Sequence, residues 1–300
     1  MSDLKKKYLN FIKKQETVGE KFRDKQGQLK LFYLPFCTKL FELYKSKNRT
    51  LLVGLSGSQG SGKSTVSQIL KIILQSYFKL NVVCFSIDDF YKTQFERKKM
   101  SKLIHPLFMT RGVPGTHNSK MLYNTLKNLK KKKFSTLKIP KFDKSIDNRL
   151  KIKYWQKIKK KPDIIIFEGW CVGAKHQKIS FLKKPMNLIE RKYDIDLKWR
   201  KKVNNQLKKN YKKLFNKIDK LVYLKAPSFN HIFQWRLLQE QNLKLTSKNK
   251  KETMSKSKVR EFIMYYERIT KQMMKDFSKI SDLTIFLDNK HRSKKMKFFN

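Results

Sequence analysis

Cysteines and long apolar segments are both scarce in this 300-residue chain, and each absence narrows what the protein can be. The three cysteines, Cys37, Cys84 and Cys171, are widely separated and form no CxxC pair. They are too few for a disulfide scaffold and fit a reducing compartment. No run of about 18 apolar residues is available to span a bilayer, and the first residues lack the apolar part of a signal peptide. We therefore predict a cytoplasmic protein that has no membrane-spanning segment.

Acidic residues are scarce as well, because 23 Asp and Glu residues face 72 Lys and Arg, which gives a formal net charge of +49. This balance is typical of proteins that bind nucleic acid or an anionic membrane. The lysines, however, run from Lys5 to Lys297 without clustering, whereas a dedicated binding surface concentrates them on one face or element. We therefore expect no nucleic-acid partner, and we expect small anions to be attracted to the surface.

Short apolar runs alternate with amphipathic stretches along most of the chain. Apolar residues make up 39% of it, which is enough for one large folded α/β domain. After the first run, Val66, Ile69, Leu70, Ile73 and Tyr77 have the spacing of one helix face. Strands are predicted at residues 51–55, 81–87, 164–167, 221–224 and 283–287. Strands alternating with helices predict a doubly wound, mostly parallel sheet with flanking helices.

A glycine-rich segment follows the first predicted strand and opens a helix, which is the context that supports a P-loop of the form GxxxxGK[ST]. Its glycines let backbone N–H groups turn toward phosphate oxygens, and the helix N-terminus adds a positive dipole end. We expect Lys63 to reach the β- and γ-phosphates of ATP and Ser64 to offer its hydroxyl to Mg²⁺. The predicted nucleotide-binding residues are Gly57, Ser58, Gln59, Gly60, Ser61, Gly62, Lys63, Ser64 and Thr65.

Residues 216–219 spell NKxD, the guanine-reading signature of GTPases, so a GTPase has to be considered. In a GTPase this tetrapeptide follows a strand, whereas here it precedes the predicted strand at 221–224. No DxxG sequence lies between the P-loop and this point. We interpret the match as coincidence and Asp219 as a turn residue.

Acidic side chains follow two of the predicted strands directly. Asp88 and Asp89 come after the second strand, and Glu168 ends the third. Because ligands bind beyond the carboxyl ends of parallel strands, we expect all three carboxylates beside the P-loop. Phosphoryl transfer to an alcohol requires two groups of this kind. One is a base that takes the proton of the hydroxyl, and the other is an oxygen ligand for Mg²⁺.

The segments Ser86–Tyr91 (SIDDFY) and Phe167–Gly169 (FEG) resemble the uridine kinase, phosphoribulokinase and pantothenate kinase group of P-loop kinases. The resemblance implies that Asp88 is the catalytic base and that Glu168 contacts magnesium or the acceptor. It also makes Asp89 and Tyr91 candidates for substrate binding.

A closer resemblance is to the D-glycerate 3-kinase branch of that group. It is carried by His105–Leu107 (HPL), Thr110–His117 (TRGVPGTH), Pro140–Lys144 (PKFDK) and Glu168–Ala174 (EGWCVGA), and it runs from about Leu51 to Asp288. The resemblance implies an ATP-dependent kinase that phosphorylates a hydroxyl of D-glycerate to give 3-phosphoglycerate.

Glycerate carries a carboxylate and neighbouring hydroxyls, so its pocket should offer a guanidinium for the first and a carboxylate for the second. The candidates are Arg111, Arg149 and Arg191 for the carboxylate and Asp143 for the hydroxyls. By resemblance to kinase lids, Arg236 is expected to close over the γ-phosphate and stabilise its developing charge.

Three parts are predicted: a helical N-terminal extension packed on the core at 1–48, a P-loop kinase domain at 49–290 with a lid around 236–258, and a basic tail at 291–300. Two alternatives to the glycerate kinase stay open. One is a sister kinase that acts on a nucleoside, pantothenate or a sugar phosphate, and the other is a P-loop NTPase that binds nucleic acid. The oligomeric state is not predicted.

Overall fold

The fold is a central sheet with helices on both faces, seen in a computed structural model that describes residues 1–16, 21–246 and 253–298. The strands are β1 (Leu51–Gly57), β2 (Val82–Ser86), β3 (Leu137–Ile139), β4 (Phe142–Asp143), β5 (Asn148–Arg149), β6 (Gln156–Ile158), β7 (Ile164–Gly169), β8 (Lys220–Lys225), β9 (Leu283–Leu287) and β10 (Ser293–Phe298). The α-helices are α1 (Ser2–Gln15), α2 (Lys25–Gln28), α3 (Leu34–Lys47), α4 (Lys63–Ser76), α5 (Gln94–Leu103), α6 (Ser119–Leu129), α7 (Ile179–Lys183), α8 (Leu188–Tyr193), α9 (Lys198–Gln206), α10 (Lys212–Phe215), α11 (Phe229–Thr246) and α12 (Lys256–Ile280). Short 3₁₀ turns occupy Ile87–Phe90, Pro106–Met109 and Ile152–Tyr154, and π-helical turns occupy Leu29–Tyr33 and Leu207–Tyr211.

The main sheet has the strand order β10-β9-β8-β1-β7-β2. All neighbours pair in parallel except β10, which is antiparallel to β9. The chain passes from β1 through α4 to β2 and leaves a gap that β7 later fills. The predicted mostly parallel sheet with flanking helices is therefore confirmed, and its carboxyl edge brings β1, β7 and β2 side by side.

Side chains alternate between the two faces of the sheet and enter two separate apolar layers. On β1, Leu52 faces a layer built with α6, α9 and α12, whereas Leu51, Val53 and Leu55 face α4 and the N-terminal helices. Every residue of β1 is buried, as expected for a parallel strand covered on both faces.

The N-terminal helices lie on the α4 face of the sheet. From α1, Leu4, Tyr8 and Ile12 are buried in the same apolar layer as Leu40 of α3. The helical character expected for residues 1–48 is therefore observed within the described residues, although residues 17–20 lie outside them.

The prediction of a basic tail at 291–300 is wrong for the residues that the structure describes, because Ser293–Phe298 forms the edge strand β10. Met296 and Phe298 pack on the α4-side layer, while Lys294, Lys295 and Lys297 stay exposed. Lysines are well suited to an exposed sheet edge. Because lysines are so abundant in this segment, its sequence does not show the alternation of apolar and polar residues that predicts a strand. Ser293 is also bound to α2, because the Gln28 side chain donates to its carbonyl and accepts from its N–H, both at 2.9 Å.

Asp219 lies at the amino end of β8, on the edge of the sheet opposite the P-loop. Its carboxylate accepts hydrogen bonds from the Leu52 N–H at 2.8 Å and from Lys130 at 2.9 Å, and it pairs with Arg49 at 2.6 Å. These contacts join the amino ends of β1 and β8. They agree with the interpretation of Asp219 as a turn residue rather than as a residue that recognises guanine.

Within the described residues, none of the helices combines the length and the apolar character that crossing a membrane requires.

We expect Asp219→Ala to lower the free energy of unfolding by about 1–3 kcal/mol, because it leaves a backbone N–H and two cations without their shared acceptor. Urea denaturation measures the change. Asp3→Ala is the control, since Asp3 pairs with Lys7 on an exposed helix face and such pairs contribute about 0–1 kcal/mol. Equal losses in the two variants would contradict the structural role of Asp219.

Candidate active site

The P-loop connects β1 to α4 at the carboxyl edge of the sheet. Gly62 has a φ of +79°, a left-handed conformation that favours glycine, and nothing lies within 4 Å of the position where its Cβ would be. The space beside Gly62, at the N-terminus of α4, is therefore open, as an anion bound at a helix N-terminus requires. The Lys63 ammonium donates to the Ser58 carbonyl at 2.8 Å, so this lysine folds back along the loop.

Glu168 lies next to the P-loop because β7 is the neighbour of β1. In the register, Glu168 is opposite Leu55 on one side and Ser86 on the other. The Ser64 hydroxyl donates to Glu168 Oε1 at 2.8 Å. Burial raises the pKa of Glu168, although the charge of Lys63 opposes that rise. The structure thus brings together the two residues that the sequence suggested as magnesium ligands.

Asp88 follows β2, so Glu168 on β7 lies between Asp88 and the P-loop. Its carboxylate accepts a hydrogen bond from the Tyr91 hydroxyl and one from the Lys144 ammonium, each 2.8 Å long. Burial by itself would raise the pKa of Asp88, but the charge of Lys144 and the two hydrogen bonds lower it to about 2. Asp88 is therefore ionised at neutral pH. Burial lowers the pKa of Lys63, and the charges of Glu168 and Asp88 oppose that decrease.

Asp89 has different partners from Asp88. Its carboxylate accepts from the Ser86 N–H at 3.0 Å, which closes a capping box on the 3₁₀ turn. Lys141 pairs with it at 3.2 Å. Burial raises its pKa against the opposing charge of Lys141. The carboxylate of Asp89 is therefore engaged in holding the turn that presents Asp88.

Two of the arginines expected at the acceptor site are engaged in ion pairs. Arg111 pairs with Asp147, which also binds the buried Arg97 at 2.6 Å. Arg149 pairs with Glu96 at 3.6 Å and donates to the Tyr91 carbonyl at 2.8 Å. These contacts tie the loop after α5 to the β4–β5 hairpin, whose turn residue Lys144 contacts Asp88.

Among the described residues, the side chains of Asp143 and Arg191 form no hydrogen bond or ion pair with the P-loop or Asp88. The Asp143 carboxylate accepts from the N–H and the hydroxyl of Ser145 at 2.9 and 2.6 Å, which closes the hairpin turn. Arg191 is exposed on α8. Asp143 therefore lies near the site, since the next residue, Lys144, contacts Asp88, but its carboxylate is engaged by Ser145. Arg191 is not brought together with the other candidates.

Arg236 lies on α11, which packs directly on the P-loop, because a Cβ at Gly60 would come within 2.8 Å of Trp235 Cβ. The guanidinium of Arg236 pairs with Glu240 and lies over the Phe262 ring, 5.4 Å from its centroid. The lid expected around 236–258 includes residues 247–252, which lie outside the described residues.

His117 is a buried histidine beside Asp88. Its ring stacks on Tyr91 with centroids 4.6 Å apart, and its Nδ1 lies 2.6 Å from the Tyr211 hydroxyl. That hydroxyl also accepts from the Gly115 N–H at 3.0 Å, so Tyr211 ties the His117 ring to the backbone of the same loop. Burial lowers the pKa of His117 to about 4, which keeps the ring neutral at pH 7. His117 supports Tyr91, and through it Asp88.

The loop that carries Arg111 is fixed by contacts from α12 and from the residue that follows β7. Tyr266 donates its hydroxyl proton to the Arg111 carbonyl at 2.9 Å, and the Trp170 indole donates to the Gly112 carbonyl at 2.9 Å. The loop is therefore held in one position beside Asp88 rather than left free.

The sequence did not single out Lys144, although it belongs to the quoted PKFDK segment. Nothing in the composition separates this lysine from the others in a chain with 72 basic residues. Only its position opposite Asp88 in the folded chain distinguishes it.

The site suits a magnesium-bound nucleoside triphosphate. The open space at Gly62 and the N–H groups of α4 fit phosphate oxygens. Ser64 and Glu168 offer the hydroxyl and carboxylate oxygens that Mg²⁺ prefers.

Residues 52–234 match the sequence profile described as the phosphoribulokinase/uridine kinase family. The chain is 35% identical to an uncharacterized kinase of Schizosaccharomyces pombe, mug58, over 74% of this chain and 80% of that protein. It is 30% identical to the probable ATP-dependent kinase TDA10 of Saccharomyces cerevisiae, over 83% of this chain and 88% of that one.

The comparisons also include D-glycerate 3-kinases. The chain is 26% identical to the chloroplastic D-glycerate 3-kinase of Arabidopsis thaliana over 80% of this chain, and it spans only 53% of that protein. The D-glycerate 3-kinase structure from Cryptococcus neoformans shares the fold with a TM-score of 0.72 at 24% identity, over 89% of this chain and 97% of that one. The predicted resemblance to this branch is confirmed, and the chain belongs to the phosphoribulokinase/uridine kinase family of kinases.

Proposed function

We propose that the protein transfers the γ-phosphoryl group of ATP to a hydroxyl of a small hydroxy acid, with D-glycerate as the acceptor and 3-phosphoglycerate as the product. The observation that carries this proposal is the row of Lys63, Glu168 and Asp88 across the ends of three neighbouring strands. The similarity to D-glycerate 3-kinases supports the choice of acceptor.

Each member of the row has a separate task in this proposal. The N–H groups of the P-loop and the Lys63 ammonium hold the β- and γ-phosphates. Ser64 and Glu168, 2.8 Å apart, hold Mg²⁺, which supplies positive charge to the transferring phosphoryl group. Asp88 accepts a hydrogen bond from the acceptor hydroxyl and takes its proton as the oxygen attacks phosphorus.

The remaining proposed residues shape the site. Asp89 holds the turn that presents Asp88, and Tyr91 fixes the Asp88 carboxylate by its hydrogen bond. Arg236, on the helix that contacts the P-loop, neutralises charge on the γ-phosphate when it leaves Glu240. Arg111 and Arg149 form part of the acceptor wall.

We also propose a cytoplasmic location. The three cysteines are unpaired and buried, as is typical of proteins kept in a reducing compartment.

One assay tests the proposal as a whole. Purified protein is incubated with Mg-ATP and, in separate reactions, D-glycerate, L-glycerate, pantothenate, nucleosides and sugar phosphates, and ADP release is followed. We expect acceptor-dependent release with D-glycerate. ADP release with a nucleoside, pantothenate or a sugar phosphate but not with glycerate would show that D-glycerate is the wrong acceptor. ADP release that is stimulated by RNA without any acceptor would favour a nucleic-acid-dependent NTPase.

We expect Lys63→Ala to lower kcat by at least about 10²-fold, because the γ-phosphate loses its main cation. The thermal unfolding midpoint should remain close to that of the wild type. Lys71→Ala, on the same helix but on its third turn, is the control and should keep normal turnover. Near-normal turnover in Lys63→Ala would refute the nucleotide site.

We expect Asp88→Asn to lower kcat by about 10²- to 10⁴-fold with little change in the KM for ATP, because the amide cannot take the proton. Asp89→Asn is the comparison, and its effect on kcat should be smaller because its carboxylate is bound to Lys141 and the Ser86 N–H. If Asp88→Asn failed only in nucleotide binding, Asp88 would be a metal ligand rather than the base.

A further inference from the structure

The cations expected to bind the acceptor carboxylate are mostly committed elsewhere. Arg111 is paired with Asp147, and Arg149 is held between the Tyr91 carbonyl and Glu96, 3.6 Å away. Arg191 is exposed on α8. Using any of these for the acceptor would require an existing contact to break or a distant side chain to move.

Lys144 is placed differently. It lies in the turn between β4 and β5, its side chain is 62% exposed, and its ammonium reaches Asp88 Oδ2 at 2.8 Å. The charge of Asp88 raises the pKa of Lys144, with a smaller contribution from Glu168 in the same direction. An ammonium on a flexible stem has three donors that can be redirected, so Lys144 can bind a second oxygen while it stays near Asp88.

The short distance between Lys144 and Asp88 limits the size of the acceptor. The hydroxyl that reacts has to lie at Asp88, and an anionic group on the same molecule has to reach the ammonium 2.8 Å from that carboxylate. A three-carbon hydroxy acid, whose carboxylate and terminal hydroxyl can fold toward each other, satisfies both conditions. A long acid or a nucleoside places its polar groups too far apart, or has no anionic group to offer.

We infer that Lys144 binds the carboxylate of the acceptor and so selects short hydroxy acids. This inference rests on the proposed function and deepens it, since it names the residue that recognises the acid.

The same contact also explains how Asp88 becomes a better base. When the Lys144 ammonium also binds the acceptor carboxylate, its positive charge is shared between two carboxylates. Asp88 is then less strongly stabilised in its ionised form, and its pKa rises from about 2 toward its usual value. Asp88 then accepts a proton more readily.

Lys144→Met tests this role, because methionine keeps an unbranched side chain without the charge. We expect the KM for D-glycerate to rise about 10- to 100-fold, as for the loss of a hydrogen bond to a charged group, while the KM for ATP stays within about twofold. D-glyceramide, the neutral amide of the same acid, should react equally poorly with the wild type and the variant. Lys144→Arg should recover part of the affinity for D-glycerate.

Lys138→Met is the matched control. Lys138 is an exposed lysine on β3, so its removal takes one positive charge from the same region without touching the site. The KM for D-glycerate should stay unchanged in this variant, which separates specific recognition from general attraction of an anion to a basic surface.

The outcomes separate the two proposals. If the wild type releases no ADP with D-glycerate, the proposed function fails and the inference fails with it. If the wild type uses D-glycerate but Lys144→Met keeps its KM, whether or not kcat falls, the proposed function stands and the inference is overturned. A KM that rises equally in Lys144→Met and Lys138→Met would overturn it as well.

Discussion

The site depends on the position of β7 between β1 and β2, because this strand order places Glu168 2.8 Å from Ser64 and beside the strand that leads to Asp88. Removing a carboxylate and an ammonium from water is costly unless each finds partners. Glu168 is 7% exposed and is compensated by the Ser64 hydroxyl and the charge of Lys63. The folded sheet therefore holds opposite charges in place before any ligand arrives, which is the arrangement that electrostatic catalysis requires.

The parts of the site that lie on strands or directly after them could be predicted from the sequence. The P-loop has a fixed spacing, and Asp88 and Glu168 follow apolar runs that end at the same edge of the sheet. The position of a side chain at a strand end follows from the topology alone. For the same reason Asp219 could be separated from a guanine-reading residue before the structure showed its contacts with Leu52 and Arg49.

The acceptor side could not be predicted in the same way, because it is built from loops whose partners are distant in the chain. Arg111 sits in a loop rigid enough to aim it, but its pairing with Asp147 depends on a hairpin 36 residues further on. Asp143 has the right chemistry, and only the neighbouring Ser145 shows that its carboxylate closes a turn. The high lysine content hid both Lys144 and the strand β10, since neither stands out from its surroundings.

The pairing of Gln28 with Ser293 joins two segments that are 265 residues apart in the chain. Both polar groups are buried, with 9% and 4% of their surface exposed. A shortened version of the protein that omitted the last ten residues would leave the Gln28 amide without its two backbone partners and would uncover the edge of β9. The basic segment at residues 293–298 is therefore an integral part of the folded body.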